Sequence, residues 1–188
     1  MPSFTKRAIR ESFLKLLNQR PISQITVKDV VEDCGINRNS FYYHYQDLPA
    51  LIEEVIRDET DRIVAEGVQA ESIEACLDIA IDFVLKNRLA VLHICASSSR
   101  EAYERQLAAT CEYAVGSFLD KILDGHTLDP EDHAVLIQYF KCELYGQIMD
   151  WLNDGMRYDI RKRFHRLCEL LEGNAEHAIR YSLETRPQ

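Results

Sequence analysis

Twenty residues, TVKDVVEDCGINRNSFYYHY from Thr26 to Tyr45, leave the backbone few options. Thr26 can N-cap a short helix, since its hydroxyl reaches the free N–H of Asp29, which completes a Thr-x-x-Asp capping-box pattern. Val27, Val30, Val31 and Cys34 follow at helical spacing as one apolar stripe. Gly35 stands where a helix ends in the left-handed region, a conformation that costs glycine little and other residues more. Ile36 points back inward and Asn37 is a natural N-cap for a second run, Arg38–Tyr45. Phe41 and Tyr45 share one face of that run, which leaves Arg38, Asn39, Tyr42, Tyr43 and His44 for the other. Two helices joined by a glycine turn, the second carrying outward donors and aromatics, describe a helix-turn-helix.

The run Gly35–Tyr45 resembles the signature of TetR-type (TetR/AcrR) transcriptional regulators, where a glycine turn leads into a short recognition helix ending in an aromatic–Tyr–x–His–aromatic group. The likeness covers roughly residues 3–57. It implies that Tyr42 and His44 hydrogen-bond phosphates, joined by Thr26 from the preceding helix start. It also implies that Asn37, Arg38, Asn39, Ser40 and Tyr43 form the region that meets base edges. Arg38 suits guanine and Asn39 adenine, each giving about 1–3 kcal/mol of discrimination if bidentate. One departure is Leu48-Pro49: family members often carry a lysine at Leu48 that approaches a phosphate.

Charge at first argues against a DNA partner, because the 188 residues carry a net −9. Its distribution reverses that impression. Residues 1–47 hold seven Lys/Arg against five Asp/Glu, a net +2, and residues 48–188 hold fifteen against twenty-six, a net −11. The mild basicity lies with the helix-turn-helix, and an acidic body discourages indiscriminate association with nucleic acid. No apolar stretch approaches the length of a membrane span, and Met1-Pro2-Ser3 leads straight into charged amphipathic sequence. The expected address is the cytoplasm, at the nucleoid. Six cysteines at 34, 76, 95, 111, 142 and 168 form no Cys-x-x-Cys; they read as buried reduced thiols, with a redox sensor as the rival.

In chain order, a first helix over residues 3–18 carries Ile9, Phe13, Leu16 and Leu17 on one face, and Pro21 ends it. Lys6, Arg7 and Arg10 can reach a DNA backbone or form a solvated basic face, and Lys6 is the candidate contact. Asp47 caps a linking helix over 48–66, and Ile22 and Ile25 pin the loop before the helix-turn-helix. From Glu71 onward the pattern is helical throughout. The expected segments reach Asn87, cover Leu89–Ala96, span Arg100–Leu123, run from Pro130 to Asn153, and begin again near Asp159 with a kink or break at Gly173-Asn174. A stripe including Ile73 lines the first of these, and 185–188 fray.

The predicted fold is therefore all-α: a three-helix DNA-binding domain (1–47), a linking helix (48–66), and a helical regulatory and dimerisation domain (67–188), with about nine helices. Candidate effector contacts are His93, Tyr103, Tyr113 and Tyr139, polar-tipped residues on apolar stretches; His93 reads first as an interior hydrogen-bonded histidine, with the effector contact as the alternative. Candidate dimer residues are Ile137, Phe140, Leu144, Ile148 and Trp151 on one helix, with Phe164, Leu167 and Leu171 on the next; an intramolecular core is the alternative for each. Likeness to TetR-type regulators favours the shared four-helix bundle. His126 and His133 flank a proline turn, but helix-start acids and solvated histidines account for them, so no metal and no cofactor is expected. No phosphate loop, nucleophile elbow or paired-carboxylate motif occurs, which argues against an enzyme. The expectation is a ligand-responsive repressor that binds a palindromic operator as a homodimer. Its rivals are a constitutive DNA-binding regulator whose body only dimerises or binds a protein, and an all-helical metal-dependent enzyme.

Overall fold

The computed structural model describes residues 4–67 and 72–185, apart from the side chain of Ile73. The expected helix start at Ser3, the segment start at Glu71, the place of Ile73 on its stripe and the frayed end at 186–188 lie outside the described residues. Every regular element within them is helical: α1 (Phe4–Leu17), a 3₁₀ turn (Ile22–Gln24), α2 (Val27–Asp33), α3 (Arg38–His44), α4 (Leu48–Gly67), α5 (Ile73–Lys86), α6 (Arg88–Cys95), α7 (Arg100–Leu123), α8 (Pro130–Asn153), α9 (Ile160–Leu170) and α10 (Asn174–Thr185). Ten α-helices stand against the nine or so expected. Gly173, at φ 80°, breaks the last segment completely and separates α9 from α10.

The chain condenses into two compact units. One is the chain up to Arg62 together with Phe83–Gln106; the other is Ile63–Asp82 with the chain from Leu107 onward. In the first, α1 packs against α2, α3 and α6. Ile9, Phe13 and Leu17 of α1 are fully buried beside Val30 and Phe41, as the helical spacing required. Ser12 is buried among them, and its hydroxyl donates to the Val30 carbonyl at 3.2 Å, so the polar atom is satisfied. Ile25 is buried and Ile22 half-buried, which anchors the loop after Pro21.

In the second unit Leu119, Leu123, Leu128 and Ile179 form a cluster against which Leu136, Ile137 and Leu183 pack. Asp129 caps α8 by accepting from Glu131 N at 2.9 Å, with Pro130 in the first turn where its missing donor does no harm. The end of α8 is a Schellman motif: Met156 N donates to the Trp151 carbonyl at 2.8 Å and Gly155 N to that of Leu152 at 3.0 Å. Trp151 is 2% exposed, and its indole N–H donates to the Tyr158 carbonyl at 3.0 Å. Leu144 and Phe164 are likewise buried, and Ile137, Phe140, Ile148 and Leu167 are half-buried. Three of the eight candidate dimer residues, Leu144, Trp151 and Phe164, are thus buried within the protomer, and the four half-buried ones keep some area for a partner. Leu171 is 39% exposed.

Candidate nucleic-acid interface

Local chemistry sets the helix-turn-helix in detail. Thr26 Oγ1 accepts from Asp29 N at 3.3 Å while Thr26 N donates to Asp29 Oδ2 at 2.8 Å, so both halves of the capping box are made. Gly35 takes φ 69°, with Ile36 N bonded to the Val31 carbonyl at 3.0 Å. Asn37 Oδ1 accepts from Ser40 N at 2.8 Å and from the Ser40 hydroxyl at 3.1 Å, and α3 begins there. α3 is only seven residues long, too short to persist alone, so its placement rests on the inward rings. Phe41 is fully buried and Tyr45 nearly so, their rings 5.7 Å apart.

The outward face carries what the inward face does not. Tyr43 is 85% exposed and Tyr42 49%, and Arg38 and Asn39 are exposed beside them. The Tyr42 ring meets Phe41 edge-on at 5.5 Å, which stiffens it against the core while its hydroxyl end stays available. Tyr43 and half-buried His44 make a second edge contact at 5.0 Å. Phenols, an amide and a guanidinium on one short rigid face can donate to phosphates and base edges.

Three candidate contacts have prior commitments. Thr26 is exposed, but its hydroxyl proton goes to Asp29 Oδ2 at 2.6 Å, so a phosphate would have to compete for it. Asn37 spends its side-chain oxygen on the cap, leaving its amide nitrogen to donate. Lys6 is ion-paired with Glu54 at 2.7 Å and lies 5.7 Å from the Tyr45 ring centroid. Arg10 likewise pairs with Asp58 at 2.6 Å. Lys6 and Arg10 therefore tie α1 to α4, whereas Arg7 pairs with Glu11 within α1 and stays exposed.

Glu54 is a hub that sequence reading missed. It accepts from the Tyr45 hydroxyl at 2.7 Å and holds Lys6, joining α1, the end of α3 and α4. Burial pushes its carboxyl up, but hydrogen bonds from Lys6 and Tyr45 outweigh burial and hold it below the ordinary range. Burial, then the bond to Glu54, drives the Tyr45 phenol far above its usual value, so it stays a neutral donor. The only sequence signal was a glutamate on the otherwise apolar side of α4.

Asp29 responds to its cap. Hydrogen bonds from the Thr26 side chain and backbone lower its carboxyl to about 2, with Arg20 at 3.0 Å assisting. A folded value below the unfolded carboxylate value of about 3.9 means the stabilisation is present above that pH and lost as pH falls toward the folded value. Acid titration of helicity by circular dichroism should show the native state weakening between about pH 4 and 2. Asp29→Asn should flatten that dependence, and an unaltered profile in the variant would remove the cap as its cause.

The candidate effector residues divide between the two units. His93 Nδ1 lies 2.8 Å from the Leu17 carbonyl and Tyr103 is buried in the first unit. Tyr113 and Tyr139, in the second unit, are 56% and 61% exposed.

A buried three-helix core presenting a short capped helix defines a helix-turn-helix DNA-binding unit, and the family comparison names its lineage. The profile of "Bacterial regulatory proteins, tetR family" matches residues 9–55, and that of "Transcriptional regulator C-terminal region" matches residues 71–173, more than half the chain. The chain belongs to the tetR family of bacterial regulatory proteins, as a DNA-binding transcriptional regulator. A curated relative, the uncharacterised HTH-type transcriptional regulator YxbF of Bacillus subtilis (strain 168), is 38% identical over 58 residues, 31% of this chain and 15% of that protein. The match thus spans about a seventh of that relative's length.

Among solved structures, the dihydroxyacetone kinase operon activator DhaS shares the fold with TM-score 0.77 at 13% identity, covering 93% of this chain and 97% of its own. The fatty acid degradation regulator FadR from Bacillus halodurans gives TM-score 0.67 at 10% identity, over 91% and 96%. A tetR-family regulator from Streptomyces coelicolor gives 0.66 at 14%, over 97% and 92%. At such identities the likeness concerns fold alone. No helix among the described residues is long and apolar enough to cross a membrane.

Proposed function

We propose that the protein is a repressor that binds a near-palindromic operator as a homodimer and releases it when a small molecule binds the helical body. The supporting observation is the outward face of α3, where Arg38, Asn39, Tyr42 and Tyr43 are exposed on a helix whose inner face is anchored by fully buried Phe41. One such face is a small interface for specific binding, and a twofold pair doubles it. Tyr42 and His44, with Thr26, position the protein on phosphates, and Asn37, Arg38, Asn39, Ser40 and Tyr43 lie nearest the base edges.

The surface that favours a second copy is one register round α8 from the expected stripe. Val135 and Tyr139 are 60% and 61% exposed, and Cys142 and Gly146 continue the line at steps of four, three and four. A Cβ added at Gly146 would meet nothing within 4 Å, so another helix can approach closely there. Leu167 of α9 and Leu171 at its C-cap supply further apolar area.

Selection of duplexes from a random library by the purified protein tests the reading. The expected product is an inverted repeat of one short half-site, protected once on each half. A single half-site with one bound protomer would overturn the homodimer, and no enriched sequence would overturn specific DNA binding. Outward Tyr113 and Tyr139 favour a second reading, in which the body only dimerises and DNA binding is constitutive. Release of the selected duplex by a metabolite from a screened panel separates the two.

A further inference from the structure

α1 and α6 complete each other's ends across nearly half the chain. Leu17 closes α1, and its carbonyl would ordinarily bond the N–H four residues on, but that residue is Pro21, which has none. His93 of α6 lies in the donor's place, Nδ1 at 2.8 Å from the Leu17 carbonyl. A carbonyl can only accept, so Nδ1 carries the proton. The start of α6 has the converse gap. Asn87, in the N-cap position, makes no side-chain cap bond to the helix it precedes. Asn18, just past α1, supplies the missing acceptor: its Oδ1 takes the Ala90 N–H at 3.3 Å.

The two asparagines lock the exchange. Asn18 Nδ2 donates to Asn87 Oδ1 at 3.2 Å and to the Leu14 carbonyl at 3.1 Å. Asn87, 8% exposed, donates in turn to the Phe83 carbonyl at 3.0 Å. All these groups belong to the first unit, Leu16 and Leu17 of the same α1 turn are buried, and α1 is the helix that packs against both α2 and α3. An apolar contact can slide by a fraction of an ångström at little cost. A set of directional bonds to buried amides cannot, because a displaced partner leaves a desolvated donor or acceptor unsatisfied.

The structure assigns Asn18, Asn87 and His93 as positioning residues for DNA binding: a reciprocal cap through which the seating of α6 and the integrity of the end of α1, the helix on which α2 and α3 pack, become one event. The inference rests on the operator-binding reading above. None of the three touches DNA; they act through α1. Because both helix ends are made or lost together, the joint has two states rather than a continuum, and a ligand that favours one end must favour the other.

The test is hydrogen exchange on the intact protein, free and bound to the duplex enriched from the random library. In the wild type, duplex should slow exchange of the first-turn amides of α6, Ala90 and Val91, as well as those of α3. In Asn18→Ala/His93→Leu, duplex should protect α3 alone, with affinity about tenfold lower, the scale of losing one helix cap. His93→Gln, whose amide can still donate, should restore part of the α6 response; a purely structural role would not produce duplex-dependent protection at α6. Wild-type α6 amides indifferent to duplex, or a double variant that keeps the α6 response, would overturn the proposal. If no duplex is enriched, the operator reading falls by itself. The free protein then still decides the cap: Asn18→Ala must speed exchange at Ala90, and His93→Leu must speed it at Asn18–Arg20, or the reciprocity is absent.

Discussion

Phe41→Ala should lower the stability of the DNA-binding unit by about 3–5 kcal/mol, the range for removing a fully buried aromatic ring. Phe41 is 0% exposed and touches both Tyr42 and Tyr45 with its ring, so no solvent path or flexible neighbour is placed to fill the space. A loss of that size is a large part of the roughly 5–15 kcal/mol that holds a domain together. The protein offers an unusually direct readout. Its one tryptophan, Trp151, lies in the second unit, whereas helicity reports both. In urea, the circular-dichroism transition of Phe41→Ala should begin at lower concentration than the shift in tryptophan fluorescence. Coincident transitions displaced together would mean that the units unfold as one, and an undisplaced pair would mean that Phe41 is no anchor. DNA binding should fail at temperatures where Trp151 still reports a folded body.

Arg38→Ala should leave stability within about 0.5 kcal/mol of the wild type, because the side chain is exposed and no element packs on it. Its effect belongs to recognition. A bidentate contact to a base contributes about 1–3 kcal/mol of discrimination, and a homodimer makes each contact twice. Affinity for the selected duplex should therefore fall by about 2–6 kcal/mol, while affinity for unrelated duplexes falls much less. Competition with duplexes altered one base pair at a time should show preference relaxed at one position in each half-site. Equal weakening on every sequence would move Arg38 from base reading to backbone contact. Loss of a quarter-turn of helicity alongside affinity would make it a structural residue instead.

How much of this was legible in advance varies with distance along the chain. Thr26 and Asp29, Asn37 and Ser40, Asp129 and Pro130 were readable because each pair is complete within a few residues, and the geometry of a helix end depends on little else. Stripes were readable as periods but less well as directions. On α7 a four-residue step from buried Phe118 reaches Ile122, which is 43% exposed while Leu119 and Leu123 are buried. A line of three- and four-residue steps drifts round a helix of 24 residues, and only the neighbours fix where it faces. The same ambiguity turned Leu144 and Trp151 inward on α8 and left Val135 and Tyr139 outside.

His93 shows the limit most sharply. The sequence favours an interior hydrogen-bonded histidine over an effector contact but names no partner; that partner follows from Pro21 lacking a donor, 72 residues earlier. Glu54 is similar, an acidic residue whose meaning appears only once Tyr45 and Lys6 converge on it. The amino-acid order by itself determined the helices, their caps, the glycine turn and the two faces of α3, since those depend on bonds spanning three or four residues. Tertiary structure decided which apolar face is core, which cations are committed internally, and how α1 and α6 finish one another. Those outcomes depend on desolvation by partners distant in the chain, which no local pattern encodes.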